Sequence, residues 1–203
     1  MMRFKGLLVL TASLLALPGL AHAQDIAPGA GTTQVTIIPG GATFFTEGKN
    51  QSGPNFGNYT LGASVTYNFT NWVGVEGEVG GALGITQDLT LGGLTNNTKT
   101  PNTVNYTGNI VFSLPTHSAF VPYATVGIGG LTMFDKPTLG IDSTTSFLTG
   151  NVGGGLKWYA GRWGVRADYR FLGVKSKDDA PTFFGQENRY GHRVYGGLIL
   201  NVK

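Results

Sequence analysis

The chain has 203 residues and no cysteine, and its charged fraction of 12% is well below the roughly 25% of an ordinary soluble domain. A hydrophobic fraction of 41% excludes a charge-rich disordered chain, and the missing cysteines exclude disulfides, thiolate metal sites and a lipoprotein anchor. The net charge of +3 includes Arg3 and Lys5; from Gln24 onward 12 basic residues balance 11 acidic ones, which gives no electrostatic footprint for nucleic acid.

The first segment has the three parts of a secretory signal. Positive charges come first, an apolar run follows over residues 6–17, and Ala21 and Ala23 then form a small-x-small cleavage site. The apolar run is too short to span the ~30 Å of a membrane comfortably as a helix, which disfavours the alternative of a membrane anchor. We expect residues 1–23 to be cleaved and residues 24–32 to form a periplasmic N-terminal linker.

From Thr33 to the end of the chain, apolar residues recur at every second position, which is the periodicity of strands. In the clearest segment Tyr59, Val65 and Phe69 share one phase, while Ser64 and Thr66 fall in the other. No segment with helical periodicity follows the signal. The pattern predicts eight strands, near residues 33–45, 58–69, 72–84, 103–114, 119–132, 147–159, 163–174 and 189–202.

Short and long connections alternate between the predicted strands. The short ones lie at residues 70–71, 115–118 and 160–162, and the long ones at residues 46–57, 85–102, 133–146 and 175–188. Strict alternation places all short turns at one end of the sheet, as in outer-membrane barrels with short periplasmic turns and long extracellular loops. We therefore predict an all-β fold over residues 33–203, an eight-stranded antiparallel up-and-down transmembrane β-barrel.

Aromatic residues cluster at both ends of the predicted strands, as two membrane interfaces would select. The aromatic girdle predicted beside the short turns comprises Phe69, Trp72, Phe112, Phe120, Trp158 and Trp163, with Tyr159 among them. A second band beside the long loops comprises Phe44, Phe45, Tyr59, Tyr106, Phe134, Phe147, Phe171 and Tyr190. A soluble β-barrel or sandwich with an aromatic core is the alternative, but glycines such as Gly77 and Gly108 in the apolar phase suit a lipid-facing surface better.

Charged residues occupy the polar phase of several strands and need partners inside a barrel. They are Glu76, Glu78, Lys157, Arg166, Asp168, Arg170 and Arg193. The third and seventh predicted strands lie opposite each other in an eight-stranded barrel, so we expect a cross-barrel ion network centred on Glu76, Glu78, Arg166, Arg170 and Lys157. An eight-stranded barrel is just wide enough to be filled by side chains. The network is interpreted as structural, with a conduction pathway as the alternative.

Four segments resemble the small outer-membrane β-barrel family of Gram-negative bacteria, which includes OmpA-like transmembrane domains and opacity-type surface antigens. They are Trp72–Glu78, Val121–Gly129, Val152–Tyr159 and Arg162–Phe171. The resemblance implies a monomer in the bacterial outer membrane, in contact with membrane lipid and lipopolysaccharide and inserted by the barrel-assembly machinery. The last residues, Leu198–Lys203, lack the terminal aromatic that the family usually has.

The sequence offers little for catalysis. After the predicted signal it has two histidines: His117, beside Ser118, and His192, with no adjacent serine. Neither has the serine and carboxylate partners that a nucleophilic triad needs. Acidic loop residues such as Asp142 lack the spacing of a calcium loop. We expect no enzyme activity, no cofactor and no metal site.

Two functions remain open. The first is a structural or surface-interaction role, adhesin-like or antigen-like, through four long extracellular loops that bind an extracellular ligand. The alternative is a narrow porin-like channel for small solutes. The loop segments predicted for adhesion are residues 50–55, 96–102 and 182–184, because loops carry specificity.

Overall fold

The computed structural model describes residues 29–46, 55–91, 94–116, 118–135, 143–176 and 188–202. These residues form ten strands: β1 (Thr33–Thr46), β2 (Phe56–Asn68), β3 (Val73–Gly84), β4 (Thr86–Leu91), β5 (Leu94–Lys99), β6 (Asn102–Ser113), β7 (Phe120–Asp135), β8 (Ser143–Ala160), β9 (Trp163–Val174) and β10 (Arg189–Val202). Within the described ranges there is no helix of the length and apolarity needed to cross a membrane.

Eight of the strands close into one antiparallel barrel, in the order β1-β10-β9-β8-β7-β6-β3-β2. β1 pairs with β10 from Thr33↔Val202 to Thr46↔Tyr190, so closure leaves no free edge among these eight strands. The predicted eight-stranded barrel is confirmed, and its strands follow the predicted ones in order.

The connections at one end of the barrel are short, as the spacing predicted. They span residues 69–72, 114–119 and 161–162. The shortest contains Gly161, whose φ of 64° lies in the left-handed region that glycine adopts without steric cost. Three of the four predicted long connections lie largely outside the described residues.

The fourth long connection, predicted as a loop from residue 85 to 102, contains a further hairpin. β4 pairs with β5 from Thr86↔Lys99 to Leu91↔Leu94. All side chains of β5 are exposed, and its residues do not alternate between apolar and polar. Sequence periodicity therefore could not predict this strand. The available signal was the Gly92-Gly93 dipeptide between two threonine-containing runs, a known hairpin pattern.

The outer surface of the barrel is apolar and its interior is largely polar. Val65, Ile110 and Leu198 are exposed on the outside, whereas inward positions hold residues such as Thr66 and Asn109. A soluble barrel would have the opposite arrangement, with its large apolar residues in the centre. The distribution instead matches a barrel whose outer band faces lipid.

Candidate functional site

The interior of the barrel is the candidate functional site, because two opposite strands collect charged side chains there. β3 and β9 are four places apart in the ring of eight strands, so they face each other across the interior. β3 carries Glu76 and Glu78, and β9 carries Arg166, Asp168 and Arg170 at alternate positions that share the inner face. All five side chains are buried.

Glu76 is held by two guanidinium groups at once. Arg166 Nη1 lies 2.6 Å from its Oε2, and Arg170 Nη2 lies 2.7 Å from its Oε1. Both arginines also approach Glu78, whose Oε2 is 3.5 Å from Arg166 Nη2 and 3.4 Å from Arg170 Nη2. Charge-assisted bonds of this kind are about twice as strong as neutral ones. They connect one wall of the barrel to the opposite wall.

Arg193 of β10 and Asp168 of β9 complete the ionic part of the interior. Arg193 Nη2 pairs with Glu78 Oε1, and Tyr195 OH donates a hydrogen bond to Glu78 Oε2 at 3.0 Å. Arg170 Nε donates to Asp168 Oδ1 at 3.0 Å. These contacts bring six of the seven predicted network residues together.

The seventh, Lys157 of β8, makes no ion pair with the residues that the structure describes. Its Nζ donates to Gln34 Oε1 at 2.9 Å and lies 4.9 Å from the centre of the Tyr123 ring. No carboxylate of the described residues lies within 4.0 Å of it, so the expected place of Lys157 at the centre of the network is wrong. Lys157 is paired in register with Arg166, and like charges directly opposite each other repel. Arg166 takes the Glu76 carboxylate, and Lys157 binds the Gln34 amide of β1 instead.

Neutral side chains around Glu76 were not assigned a role from the sequence. Ser64 Oγ and Thr66 Oγ1 each donate to Glu76 Oε2 at 3.2 Å, and Asn109 Nδ2 donates to Glu76 Oε1 at 3.2 Å. Thr66 and Asn109 are the direct register partners of Glu76 in β2 and β6. Their polar phase was visible in the sequence, but only the pairing of the strands brings them to this carboxylate.

Two tyrosines, one on β7 and one on β10, form hydrogen bonds with residues of the network. Tyr123 OH donates to Asp168 Oδ2, and Arg166 Nη2 donates to Tyr195 OH. The Arg166 guanidinium carbon also lies 5.1 Å from the centre of the Tyr195 ring, a cation–π distance. These aromatic residues fill interior space that water would otherwise occupy.

Apolar clusters lie inside the barrel at both ends of the network. The cluster at the short-turn end consists of Val121, Tyr159 and Ile199. The cluster at the long-loop end consists of Phe45, Phe56, Leu89, Leu131, Met133, Phe147 and Val174. Phe45, Phe147 and Tyr159 were expected in the outer aromatic bands, and this assignment is wrong. In a strand neighbouring side chains point to opposite faces, so the outward position goes to Phe44, Leu148 and Trp158 instead.

The residues of the predicted girdle lie on the outer surface beside the short turns. Phe69, Trp72, Phe112, Phe120 and Trp163 are exposed, and Trp158 is half-buried. At the opposite end Phe44, Tyr59, Tyr106, Phe134 and Tyr190 are exposed on the outer surface as well. Anchoring at the two membrane interfaces stays a prediction for these residues.

The two histidines that follow the predicted signal do not lie in the described part of the barrel interior. His192 faces outward and its Nδ1 lies 2.8 Å from Tyr169 OH, while His117 is outside the described residues. The described part of the chain has no group of three or more His, Cys, Asp or Glu residues that could hold a metal ion. The predicted cleavage residues Ala21 and Ala23, and the loop residues 182–184, also lie outside the described residues.

The sequence model of the outer membrane protein beta-barrel domain family matches residues 7–196. The chain belongs to this family. The protein is therefore located in the bacterial outer membrane. The family resemblance seen in its sequence motifs is confirmed. The family and its structural neighbours are non-enzymatic outer-membrane barrels.

Solved structures with the same fold come from several Gram-negative bacteria. Neisserial surface protein A is 10% identical, covers 85% of this chain and 98% of its own, and gives a TM-score of 0.63. The N-terminal β-barrel domain of Pseudomonas aeruginosa OprF is 14% identical, with coverages of 86% and 100% and a TM-score of 0.52. Ail of Yersinia pestis, in complex with the heparin analogue sucrose octasulfate, is 15% identical, with coverages of 84% and 99% and a TM-score of 0.50. At these low identities the structural similarity shows a shared fold and nothing more. No curated protein matches the sequence.

Proposed function

We propose that this outer-membrane barrel is a closed scaffold that presents its long-loop end to the outside of the cell for surface contacts. The observation that carries the proposal is the filled interior, in which an ionic layer lies between two apolar clusters. A filled interior favours a scaffold for its external segments over a route for solutes.

The ionic layer opposes conduction because its charges already have partners. Glu76 accepts from two arginines and from three neutral donors, and Glu78 pairs with Arg193. A permeating ion would have to displace such pairs, and leaving one partner of a buried pair uncompensated costs about 3–5 kcal/mol.

The apolar clusters add two further barriers along the same axis. An apolar constriction blocks ions by excluding water. The cluster that contains Phe45 and Met133 lies toward the long loops, and the one that contains Tyr159 and Ile199 lies toward the short turns. A solute would therefore meet an apolar barrier on each side of the charged layer.

The hairpin of β4 and β5 supplies a fixed external surface. Leu89 of β4 is buried in the apolar cluster at the long-loop end. The Gln87 amide accepts from Gly57 N at 3.1 Å and donates to Gly57 O at 2.7 Å, so it ties the hairpin to the top of β2. β5 meanwhile exposes all of its side chains. A rigidly anchored, exposed strand is a suitable platform for binding.

A narrow channel remains the second candidate, and one observation favours it. Arg166 Nε, Arg170 Nη1 and Arg193 Nε are buried and have no hydrogen-bond partner among the residues that the structure describes. Buried groups of this kind are commonly satisfied by water, so the middle of the barrel could contain a few water molecules.

Planar-bilayer recordings of the purified full chain distinguish the two candidates. We expect no stable unit conductance from the natural sequence. The matched variant replaces Phe45 and Phe147 with alanine and opens the long-loop cluster, and it should show rare openings at most because the ionic layer remains. A stable and reproducible unit conductance of the natural chain would overturn the closed-scaffold proposal.

A further inference from the structure

The hairpin of β4 and β5 has one anchored strand and one exposed strand. It forms a separate two-stranded sheet, so among the described residues β5 pairs with β4 and with no other strand. β4 is the anchored strand, because Leu89 is buried in the apolar cluster at the long-loop end and Gln87 is bonded to Gly57. All side chains of β5 are exposed. One edge of β5 is therefore open to solvent.

The register of the hairpin determines which backbone groups point out of this edge. Thr100 N donates to Ile85 O at 3.2 Å, so these residues form a hydrogen-bonded pair next to the hairpin. Hydrogen-bonded and non-hydrogen-bonded pairs alternate along an antiparallel ladder, and Thr98 and Asn96 therefore bond to β4. The residues of β5 whose N–H and C=O groups point away from β4 are Thr95, Asn97 and Lys99. These three residues form the open edge.

The backbone of the open edge is held in a fixed, extended form. Thr90 Oγ1 and Thr95 Oγ1 lie 2.9 Å apart, and Asn97 Nδ2 donates to Asp88 Oδ1 at 2.8 Å. The pairing of β4 with β5 has no register shift along its length. A strand that is already extended and ordered loses little conformational freedom when it binds a partner, which favours binding.

The open edge lacks most of the features that prevent edge-to-edge pairing. Proteins usually protect such edges with proline, a β-bulge, charged side chains or a covering segment. β5 contains no proline and no bulge, its side chains are uncovered, and its single charged residue, Lys99, is the last of the strand. A further strand can therefore pair with this edge through main-chain hydrogen bonds.

The open edge is complementary to itself in the antiparallel direction. A two-fold axis at Asn97 places Asn97 opposite Asn97 of a second copy and Thr95 opposite Lys99 of that copy. Each pair then exchanges both of its N–H···O bonds, and no like charges face each other. An axis at Lys99 would instead place two lysines opposite each other. An axis at Thr95 would leave Lys99 beyond the end of β5 in the second copy.

We propose that the open edge of β5 pairs with β5 of a second copy of this protein, antiparallel and centred on Asn97. This inference rests on the proposed function, because it names a partner for the exposed hairpin. A single pair of short polar strands associates weakly, since its hydrogen bonds replace bonds to water. Many copies in one membrane raise the effective concentration and let weak contacts act together.

Single-cysteine variants test the register directly, because the natural chain has no cysteine. The full chain is refolded in detergent micelles, concentrated and treated with a mild oxidant, and dimers are measured on non-reducing gels. Asn97→Cys should form a disulfide-linked dimer. The reason is that the Cα atoms of a hydrogen-bonded antiparallel pair lie about 5.5 Å apart, which is within the range that a disulfide bridges.

Thr95→Cys and Lys99→Cys are matched controls on the same exposed strand. In the proposed register each residue is displaced by four positions from its own copy, about 13 Å at ~3.4 Å per residue. A disulfide cannot bridge that distance. Neither variant alone should form a dimer, whereas an equal mixture of the two variants should form a mixed disulfide.

A proline in the open edge should prevent the pairing. Asn97→Pro, added to both chains of the mixture, should abolish the mixed disulfide, because proline removes an N–H that points away from β4 and leaves the hairpin bonds in place. Asn97→Ala is the matched control; it keeps the backbone N–H and should retain the mixed disulfide. Circular dichroism and heat-modifiable gel migration verify that each variant is folded.

Three outcomes would overturn the proposal. The first is an Asn97→Cys variant that forms no dimer. The second is an equal yield of dimer from all three single-cysteine variants, which indicates random collision. The third is a mixed disulfide that survives Asn97→Pro in the folded protein, which places the contact elsewhere on the chain.

Labelling of intact cells separates a failure of this inference from a failure of the proposed function. A maleimide that does not cross the outer membrane should label Asn97→Cys on intact cells. If the variant dimerises in micelles but is not labelled on cells, the strand pairing is supported and the outward orientation of the hairpin is contradicted. If it is labelled but does not dimerise, the pairing is overturned and the outward orientation is supported.

Discussion

Arg166 Nη1 reaches across the barrel to within 2.6 Å of Glu76 Oε2 and so joins β9 to the strand that lies opposite it in the ring. Both side chains are fully buried. Their ion pair therefore connects two opposite walls of the barrel, in addition to the hydrogen bonds between adjacent strands. The contribution of this pair to the free energy of unfolding can be measured directly.

Removing one member of the pair should destabilise the barrel strongly. Glu76→Gln and Arg166→Gln should each lower the free energy of unfolding by about 3–5 kcal/mol, because each leaves a buried charge without its main partner. The double variant should lose less than the sum of the single losses. Urea titrations of the refolded protein in detergent would measure the three values.

Additive losses for the two substitutions would contradict the coupling. Asp88→Asn is a matched control for charge removal, because Asp88 lies on the exposed hairpin, where Asn97 Nδ2 donates to its Oδ1 at 2.8 Å. A surface substitution of this kind should change the free energy of unfolding by no more than about 0.5 kcal/mol.

Lys157 should tolerate neutralisation better than the arginines do. The side-chain partners of Lys157 are the Gln34 amide oxygen and the Tyr123 ring. Lys157→Met would therefore leave one neutral acceptor unpaired, but it would not leave a buried carboxylate without its cation. We expect a loss of about 1–3 kcal/mol in the free energy of unfolding, the range for one unsatisfied buried polar group. Arg166→Met, measured in the same titration, should cost more. Equal losses would argue that Lys157 does interact with the carboxylates.

The adjacent phenylalanines Phe44 and Phe45 should respond differently to truncation. Phe45 is 1% exposed inside the barrel and its ring centre lies 5.2 Å from that of Phe56, whereas Phe44 is 50% exposed on the outer surface. Phe45→Ala should cost about 3–5 kcal/mol, the range for a large cavity in a packed core. Phe44→Ala should cost less than half of that in the same lipid or detergent. The reverse order would contradict the inward orientation of Phe45.

The two ends of the barrel should be accessible from different sides of the membrane. An epitope tag inserted between Gly92 and Gly93, which connect β4 and β5, should bind antibody on intact cells. A tag inserted after Gly161, in the short turn between β8 and β9, should bind antibody only after the outer membrane is permeabilised. Antibody access to the second tag on intact cells would contradict the orientation in which the long loops face outward.

The sequence by itself determined the eight barrel strands, their order and the face on which most of their side chains lie. Alternation with period two is a property of a single strand, because neighbouring side chains point to opposite sides whatever the strand pairs with. Tyr59 and Val65 could therefore be placed on the outer face, and Glu76 and Arg166 on the inner face, without knowledge of the tertiary structure. The alternating lengths of the connections were enough to close these strands into an up-and-down barrel.

Only the tertiary structure decided the orientation and the contacts of residues whose local sequence pattern is ambiguous. Phe44 and Phe45 are both aromatic, so their residue types do not show which of them faces lipid. Lys157 has the charge and the phase of a network member, but its Nζ donates across the barrel to Gln34 Oε1 of β1 instead of to a carboxylate. β5 carries no alternation at all. Depth within the barrel and contacts across it arise from the pairing of distant strands, and a pattern within one strand contains no information about them.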